Sequence, residues 1–576
     1  MADINTADQH DRVNLVYETK IGDKSEMVEL PFKVLVIGDF TLDEKSAYFD
    51  EQVPISLNQN NHEIDVLFKQ LRPKLKIKVP NKIQSNDEEL LIELEFNNLD
   101  DFNPHQILTK VSWMGMLLEF TDILAKASDV EKLQLNEQDK SFLEKVLDAE
   151  DISLQELQKN SENYGWLIAS IEKSICDQLD EILHHKNFTE MESIWRSIQF
   201  LIERTEFNEN CELAVLNISK QALLEDFEDV PEITHSKYYQ IVYSDEYGQF
   251  GGRPYGAVVS NYQFGPKAPD IKCLQQLASV SAVAHAPFIA GASAELFDID
   301  SYSKFSRLRD IASIYTQPAY IKWNSFRQSS DSCYVGLTLP FFLLRESHKI
   351  EIGGLRYIEK ISSKDTDLLW GNSAFPFASR LLESFARYRW CLNCTGQDAG
   401  QVQGMNMKDG KISTQFILTD RRESNVVDQG FIPLSVHKGD ETAAFYSAYS
   451  THIVTAEESN NGQDLSARLS AQLPYLMIVS RISQYLKVMQ REHLGSWRNR
   501  RDLDQQLNKW LAQYVSDMDN PAAGVRARRP LRRAEVKVRE VEGKQDWFVT
   551  RIQITPHLKF MGSSFELSET SKMEKN

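Results

Sequence analysis

Residues 248 to 258, GQFGGRPYGAV, hold the densest glycine cluster in the chain and raise the question of phosphate binding. Gly251 and Gly256 have the separation of a G-x-x-x-x-G-K-[ST] loop. Ala257 and Val258, however, stand where a lysine must reach the terminal phosphates and a hydroxyl must hold magnesium. No glycine pair here has G-x-G-x-x-G spacing, so the cluster reads as turn chemistry ahead of a strand at 257–260. Gly291-Ala-Ser293-Ala-Glu295 imitates a nucleophile elbow but has glutamate in place of the second glycine, and nearby His285 reads as a packed core histidine rather than a general base. Cys391-Leu-Asn-Cys394 is a lone C-x-x-C, and His184-His185 reads as an exposed pair between helices with no third ligand at metal spacing. Asp420-Arg421-Arg422-Glu423 reads as an ion-pair network fixing a loop or an interface. The residues therefore predict no catalytic group, no cofactor and no metal, and a structural role rather than an enzyme.

The elements that would position these residues belong to a chain of 576 residues, long enough for about three or four domains. A formal charge of −20 argues against general nucleic-acid binding, which needs a basic face. The run from Arg526 to Arg539 has seven cations against one acid; without interleaved aromatics it reads as a rim or as a patch that meets an acidic copy of the same protein. Six scattered cysteines fit a reducing compartment. The N-terminus has no apolar signal region and no run approaches 18 apolar residues, so the expectation is a cytoplasmic protein with no direct membrane insertion.

The patterning predicts a mixed α/β fold: a small N-terminal α/β unit over 1–125, a polar connector over 126–160, and a large multi-layer domain over 161–576. PFKVLVIGDF (31–40) is a buried-strand run, while KLKIKV (74–79) and ELLIELEF (89–96) alternate as half-exposed strands. A helix follows Asn103-Pro104, and a helical hairpin carries Ile168, Ile171, Ile175, Leu179 and Ile182, then Met191, Trp195, Ile198 and Ile202, with Thr189 and Glu192 as a capping box. Strands are expected at 212–218, 238–243, 333–339 and 415–420, and helices at 273–284, 377–390, 473–490 and 503–515. A C-terminal hairpin is expected over 534–542 and 547–556.

Several long segments resemble a known family. ELPFKVLVIGDF (29–40), LRPKLKIKVPN (71–81) and ELEFNNLDDFNP (93–104) are similar to the small subunit of the type VI secretion contractile sheath. From about Tyr164, LDEILHHKNFTEMESIWRSIQFLI, FGGRPYGAVVSNYQFG, AHAPFIAGASAELF, DSCYVGLTLPFFLLR, LLWGNSAFPFASRLLESFARYRWC, LTDRRE and ARLSAQLPYLMIVSRISQYLKVM resemble its large subunit, in the family's order. The two subunits are ordinarily separate polypeptides, and here they look fused. A phage-type tail sheath is the nearest alternative; the small-subunit-like unit at 29–124 favours secretion.

The resemblance implies a helical homo-oligomer with six-fold rings, contracting around an inner tube protein above baseplate components, with no nucleotide site. It also implies strand exchange between protomers through the N-terminal strand, with Val13, Leu15 and Tyr17, and through the C-terminal hairpin, with Val536, Val538, Val549, Ile552 and Ile554. The acidic flanks of the 503–515 helix, Asp502, Asp517 and Asp519, are the candidate inner-tube contact. In the family the start of the large subunit carries the helix read by a sheath-recycling ATPase. The connector stands in its place here, so weak or absent recognition is expected.

Overall fold

The computed structural model describes residues 15–21, 24–43, 49, 52–60, 62–83, 89–125, 164–363, 366–406, 413–436, 442–453, 471–492, 500–518, 529, 531–540, 548–556 and 567–573. The connector, Val13 and Asp519 lie outside these residues.

Among the described residues the main sheet has seven strands, and its middle is supplied by the first segment of the chain. Strand β3 (Phe32–Gly38) lies between β7 (Cys211–Asn217) and β8 (Tyr255–Phe264), parallel to both. Beyond β8 the sheet continues in parallel through β9 (Phe288–Ala292), β10 (Val335–Leu339) and β11 (Ile432–Pro433). Beyond β7 it ends in the short antiparallel β4 (Ile55–Leu57). The continuous apolar run that marks β3 follows from this position: Val34 and Val36 point into one core, Leu35 and Ile37 into the other, and all four are fully buried. Val36 pairs with Val215 on one side and Val259 on the other, so the first and second segments share one sheet and both of its cores.

The first core is closed by α2 (Tyr164–Leu183), α3 (Lys186–Glu203) and α5 (Ala374–Tyr388), together with the ribbon of β5 (Lys74–Pro80) and β6 (Glu89–Glu95). That ribbon alternates as expected, burying Leu75, Ile77, Val79, Ile92 and Leu94. Trp195 of α3 is clasped by the first segment: Phe68 stacks on it at 3.8 Å, and its indole N–H donates to the Phe40 carbonyl at 3.0 Å. Helix α1 (Ser112–Ala125) packs against α2. The second core lies under α4 (Ala268–Ala284).

Two expected strands are not strands. Residues 237–247 are helical, with one wide turn at Gln240–Ser244. Ser236 caps this helix through Tyr239 N–H at 3.1 Å, and Asp226 accepts from the N–H groups of Lys237 and Tyr238 at 2.9 and 3.1 Å. Tyr238, Ile241 and Val242 then face the core at helical spacing. Residues 415–419 are irregular and lead into a helix at Asp420–Asp428. Helix α3 starts three residues before the expected capping box, with His185 accepting from Asn187 N–H at 3.2 Å.

Candidate assembly interface

Helix α6 (Leu473–Glu492) is buried on every side, and four of its polar side chains meet backbone carbonyls. Arg481 donates to the carbonyls of Leu30 and Pro31, Gln484 to those of Tyr255 and His285 at 2.8 Å each, and Lys487 to that of Val283 at 2.6 Å. Arg491 takes the carbonyls of Glu246 and Gly252 at 2.8 and 2.9 Å. The glycine loop therefore turns carbonyl oxygens toward a guanidinium, the reverse of a phosphate cradle, which turns N–H groups toward an anion. Gly251 has φ +80° and supplies the turn, while Lys33 and Arg253 N–H hold Glu246 beside it.

Helix α7 (Arg500–Ala512) continues this module and carries a three-stranded antiparallel sheet. Its strands are β12 (Leu531–Glu540), β13 (Phe548–Pro556) and β14 (Leu567–Met573). Val536, Val538, Ile552 and Ile554 point inward and are buried with Tyr485, Leu507, Trp510 and Leu511. Arg533, Lys537, Arg539 and Arg551 are exposed on the opposite face, with Lys537 directly across from Arg551.

The N-terminal residues reach the same module. Leu15 and Tyr17 are buried in its apolar cluster, and β1 (Tyr17–Ile21) pairs only with β2 (Lys24–Val28) among the described residues. Side chains hold the backbone here. Trp510 Nε1–H donates to the Val16 carbonyl at 2.8 Å, Tyr514 hydroxyl lies 3.1 Å from both Val16 N and O, and Tyr485 hydroxyl donates to Leu15 O at 2.8 Å and accepts from Leu30 N–H at 2.9 Å. Burial raises the Tyr485 and Tyr514 hydroxyls above their ordinary range, so both stay protonated.

The structure thus gathers Leu15, Tyr17, Val536, Val538, Ile552 and Ile554 in one place, within one chain. Val549 lies in β13 opposite Arg539. Asp502 and Asp517 are exposed at the two ends of the α7 segment, away from the apolar cluster. Strand β14, Asp504 and Asn508 were not read from the sequence; LSETSKM has no apolar alternation, and only its pairing with β13 defines it as a strand.

The catalytic look-alikes are structural here. Ser293 accepts from Glu295 N–H at 3.3 Å, and His285 is a left-handed helix terminus with φ 53°, its Nδ1 3.4 Å from the Tyr334 hydroxyl. Glu423 accepts from Ser435 hydroxyl at 2.8 Å and Arg422 donates to the Ser306 carbonyl, so this cluster pins loops by hydrogen bonds. His184 is not an exposed residue: its Nε2 lies 3.2 Å from Glu359, whose carboxylate is fully buried. Arg345 bridges Glu359 and the equally buried Glu192, and Arg196 also holds Glu192. Burial opposes ionisation of Glu359, but His184, Arg345 and the His348 N–H outweigh it and hold its pKa down to about 2. His348 is pushed down to about 4 by burial and by Arg345.

Three family models match in chain order. The type VI secretion system VipA model covers residues 6–162, the EvpB tail sheath N-terminal domain 166–452, and the EvpB tail sheath gpW/gp25-like domain 462–573. The type VI secretion system sheath protein TssC1 of Pseudomonas aeruginosa is 34% identical over 71% of this chain and 85% of its own length. TssB1 of the same organism is 26% identical over 20% of this chain and 66% of its own length. A chain of the anti-feeding prophage baseplate aligns with a TM-score of 0.31 at 8% identity, covering 66% of this chain and 76% of that one, too loose a superposition to argue from. Among the described residues no helix is long and apolar enough to cross a membrane. With both sheath segments matched in order and one relative matched over most of its length, this chain belongs to the type VI secretion contractile-sheath family and carries the small- and large-subunit segments in a single polypeptide.

Proposed function

We propose that this chain is a cytoplasmic, non-catalytic protomer that assembles with copies of itself into a helical tube of six-fold rings, seated on a baseplate and enclosing an inner tube protein. The observation that carries this reading is the C-terminal module, where the N-terminal ribbon and the three-stranded sheet lie side by side on helices α6 and α7. An open helical assembly needs two different surfaces on each copy. Strand addition between copies supplies them through backbone ladders that survive when neighbouring protomers swing. The energy for contraction then resides in packing set at assembly and is released when the extended state relaxes to a better-packed one, without a nucleotide.

Asp502, Asp517 and Asp519 are the proposed acidic contact for the inner tube, and reversal of Asp502 and Asp517 that left tube loading unchanged would remove them. Recognition by a recycling ATPase is expected to be weak, because the small-subunit match runs through the connector to residue 162 and the large-subunit match starts at 166. Tight binding of that ATPase's N-terminal domain to a connector peptide would overturn this. The assembly test is expression of the full chain, followed by negative-stain microscopy and light scattering. Hollow tubules are the expected result; a monodisperse monomer, alone and with an inner tube protein, would sink the reading.

A further inference from the structure

The chain is acidic as a whole, with 64 lysines and arginines against 84 acids, yet it holds an arginine cluster that its own carboxylates leave unused. Phe416 stacks on Phe305 at 4.4 Å and on Tyr302 at 5.5 Å, and Arg422 donates to the Ser306 carbonyl, so the segments 302–309 and 416–422 lie side by side. Arg307, Arg309 and Arg421 stand exposed on them, and no hydrogen bond or ion pair holds any of the three side chains among the described residues. The acids near them in sequence are committed elsewhere. Asp300 pairs with Lys304 at 2.6 Å, Asp310 accepts from the N–H groups of Ala312 and Ser313 at 3.1 and 3.4 Å, and Asp420 sits in the first turn of its helix. Ile417, 46% exposed, adds an apolar side chain to the cations. Arginines around an apolar residue on a rigid aromatic floor match the composition of a protein interface.

A surface of the opposite sign lies at the other end of the same sheet. Glu225, Glu228, Asp229 and Glu232 are exposed at and beyond the end of the helix Lys220–Glu228; Lys272 meets Glu228 at 2.7 Å, and no hydrogen bond or ion pair holds the Asp229 side chain among the described residues. Strands β7, β8, β9 and β10 all run the same way, which gives the sheet a starting end and a finishing end. The arginines are at the finishing end, because the Tyr302 hydroxyl donates at 2.7 Å to the carbonyl of Ala292, the last residue of β9. The chain must return from the end of β7 to the start of β8, and the helix Lys220–Glu228, capped by Ser219 just beyond β7, covers about 12 Å of that return. Asp229 and Glu232 therefore lie toward the starting end. We infer that the two surfaces are partners between copies: the arginine cluster of one chain docks on the acidic 225–232 surface of the next. This rests on the sheath reading for the identity of the partner. Unlike surfaces at opposite ends of a sheet make a head-to-tail contact, which repeats without closing, and their opposite charges fix which end meets which.

The test uses the full chain in two reversed forms, Arg307→Glu/Arg421→Glu and Asp229→Arg/Glu232→Arg, each alone, then mixed, then combined in one chain. All four side chains are exposed, and wild-type melting temperatures are expected throughout. Each reversed form alone should lose at least about tenfold of its pelletable assembly at low salt, because like charges then meet across the contact. The mixture and the chain with all four changes should pellet as the wild type does, since every new glutamate again faces an arginine. Wild-type pelleting by a folded reversed form, or a mixture that pellets no better than its components, would overturn the assignment. Tubules indifferent to both reversals would remove this contact and leave the sheath reading standing. Salt-sensitive dimers in light scattering that obey the swap, without tubules, would keep the contact and remove the sheath reading instead. A wild-type chain that stays monomeric at low salt would overturn the contact as well.

Discussion

Gly256 of β8 lies directly against the ring of Phe32 on β3, so that a Cβ at 256 would collide with Cε2 and Cδ2 of that ring. Phe32 in turn stacks on Phe385 of α5 at 5.2 Å. A glycine of the large segment is thus the seat for an aromatic of the small one. This is why the glycine cluster sits beside a strand.

Gly256→Ala should destabilise the folded chain by about 1–3 kcal/mol through overpacking. Phe32→Leu, itself destabilising, should lose part of its cost when combined with Gly256→Ala, because the smaller side chain makes room. Thermal denaturation of the two single variants and the double variant checks this; strictly additive losses would mean that the two residues do not share the strain.

A protease site inserted between residues 126 and 163 should leave the two fragments bound after cleavage. Strand β3 bonds to β7 and β8 on both sides, and α1 packs on α2, so the covalent link is not what holds the segments together. Cleaved protein is expected to elute as one species under native conditions and as two under denaturing ones. Separation under native conditions would refute the shared-sheet argument.

Arg345→Met should cost about 3–5 kcal/mol, since it leaves the carboxylates of Glu192 and Glu359 buried without their bridging cation. Equilibrium denaturation at neutral pH measures it. Replacing Arg345, Glu192 and Glu359 together by apolar residues of similar size should recover most of the loss.

The same cluster sets a pH response. Glu359 is depressed to about 2, so its contribution is complete above its ordinary carboxylate range and fades as pH falls toward 2. His348 is depressed to about 4, so stability also declines as pH drops from its usual value through 4. Burial lowers His184, but the Glu359 contact outweighs it and the net shift is upward, so its contribution is present below the ordinary histidine value and is lost as pH rises above it. The Glu359→Gln chain should show a shallower loss on both the acid and the mildly alkaline side in melting temperature against pH.

Arg551→Glu should stabilise the isolated chain by about 0.2–1 kcal/mol, because it replaces a like-charge pair with Lys537 by an opposite one. Self-assembly at low salt should weaken, since the variant reverses one of the four exposed cations, Arg533, Lys537, Arg539 and Arg551, that this face offers to an acidic copy. Equilibrium denaturation checks the first sign and light scattering against salt concentration the second; faster assembly by the variant would exclude the basic face from the contact.

Much of the fold was legible because the local pattern was unambiguous. The uninterrupted apolar run at 31–40 specified a buried strand, the alternation at 74–79 and 89–96 specified half-exposed strands, and the pattern over 473–490 specified a helix, though not its burial. The misreadings have local causes. YYQIVY has strand composition, but Ser236 and Asp226 cap a helix there, and neither side chain can be weighed without knowing where 226 folds. In the assembly module, inward positions 536, 538, 552 and 554 followed from alternation, whereas β14 had no alternation to show.

The sequence by itself determined which family this is and where most strands and helices begin, because those properties depend on residue order and on periodicities of a few positions. The tertiary structure decided who neighbours whom: β3 between one strand that begins at Cys211 and another that begins at Tyr255, Asn508 and Asp504 against the edge of β12, His184 against a buried carboxylate. Backbone hydrogen bonds across a sheet carry no side-chain signature, and a side chain that closes an edge is chosen for its distance from that edge. Neither quantity exists until the chain has folded.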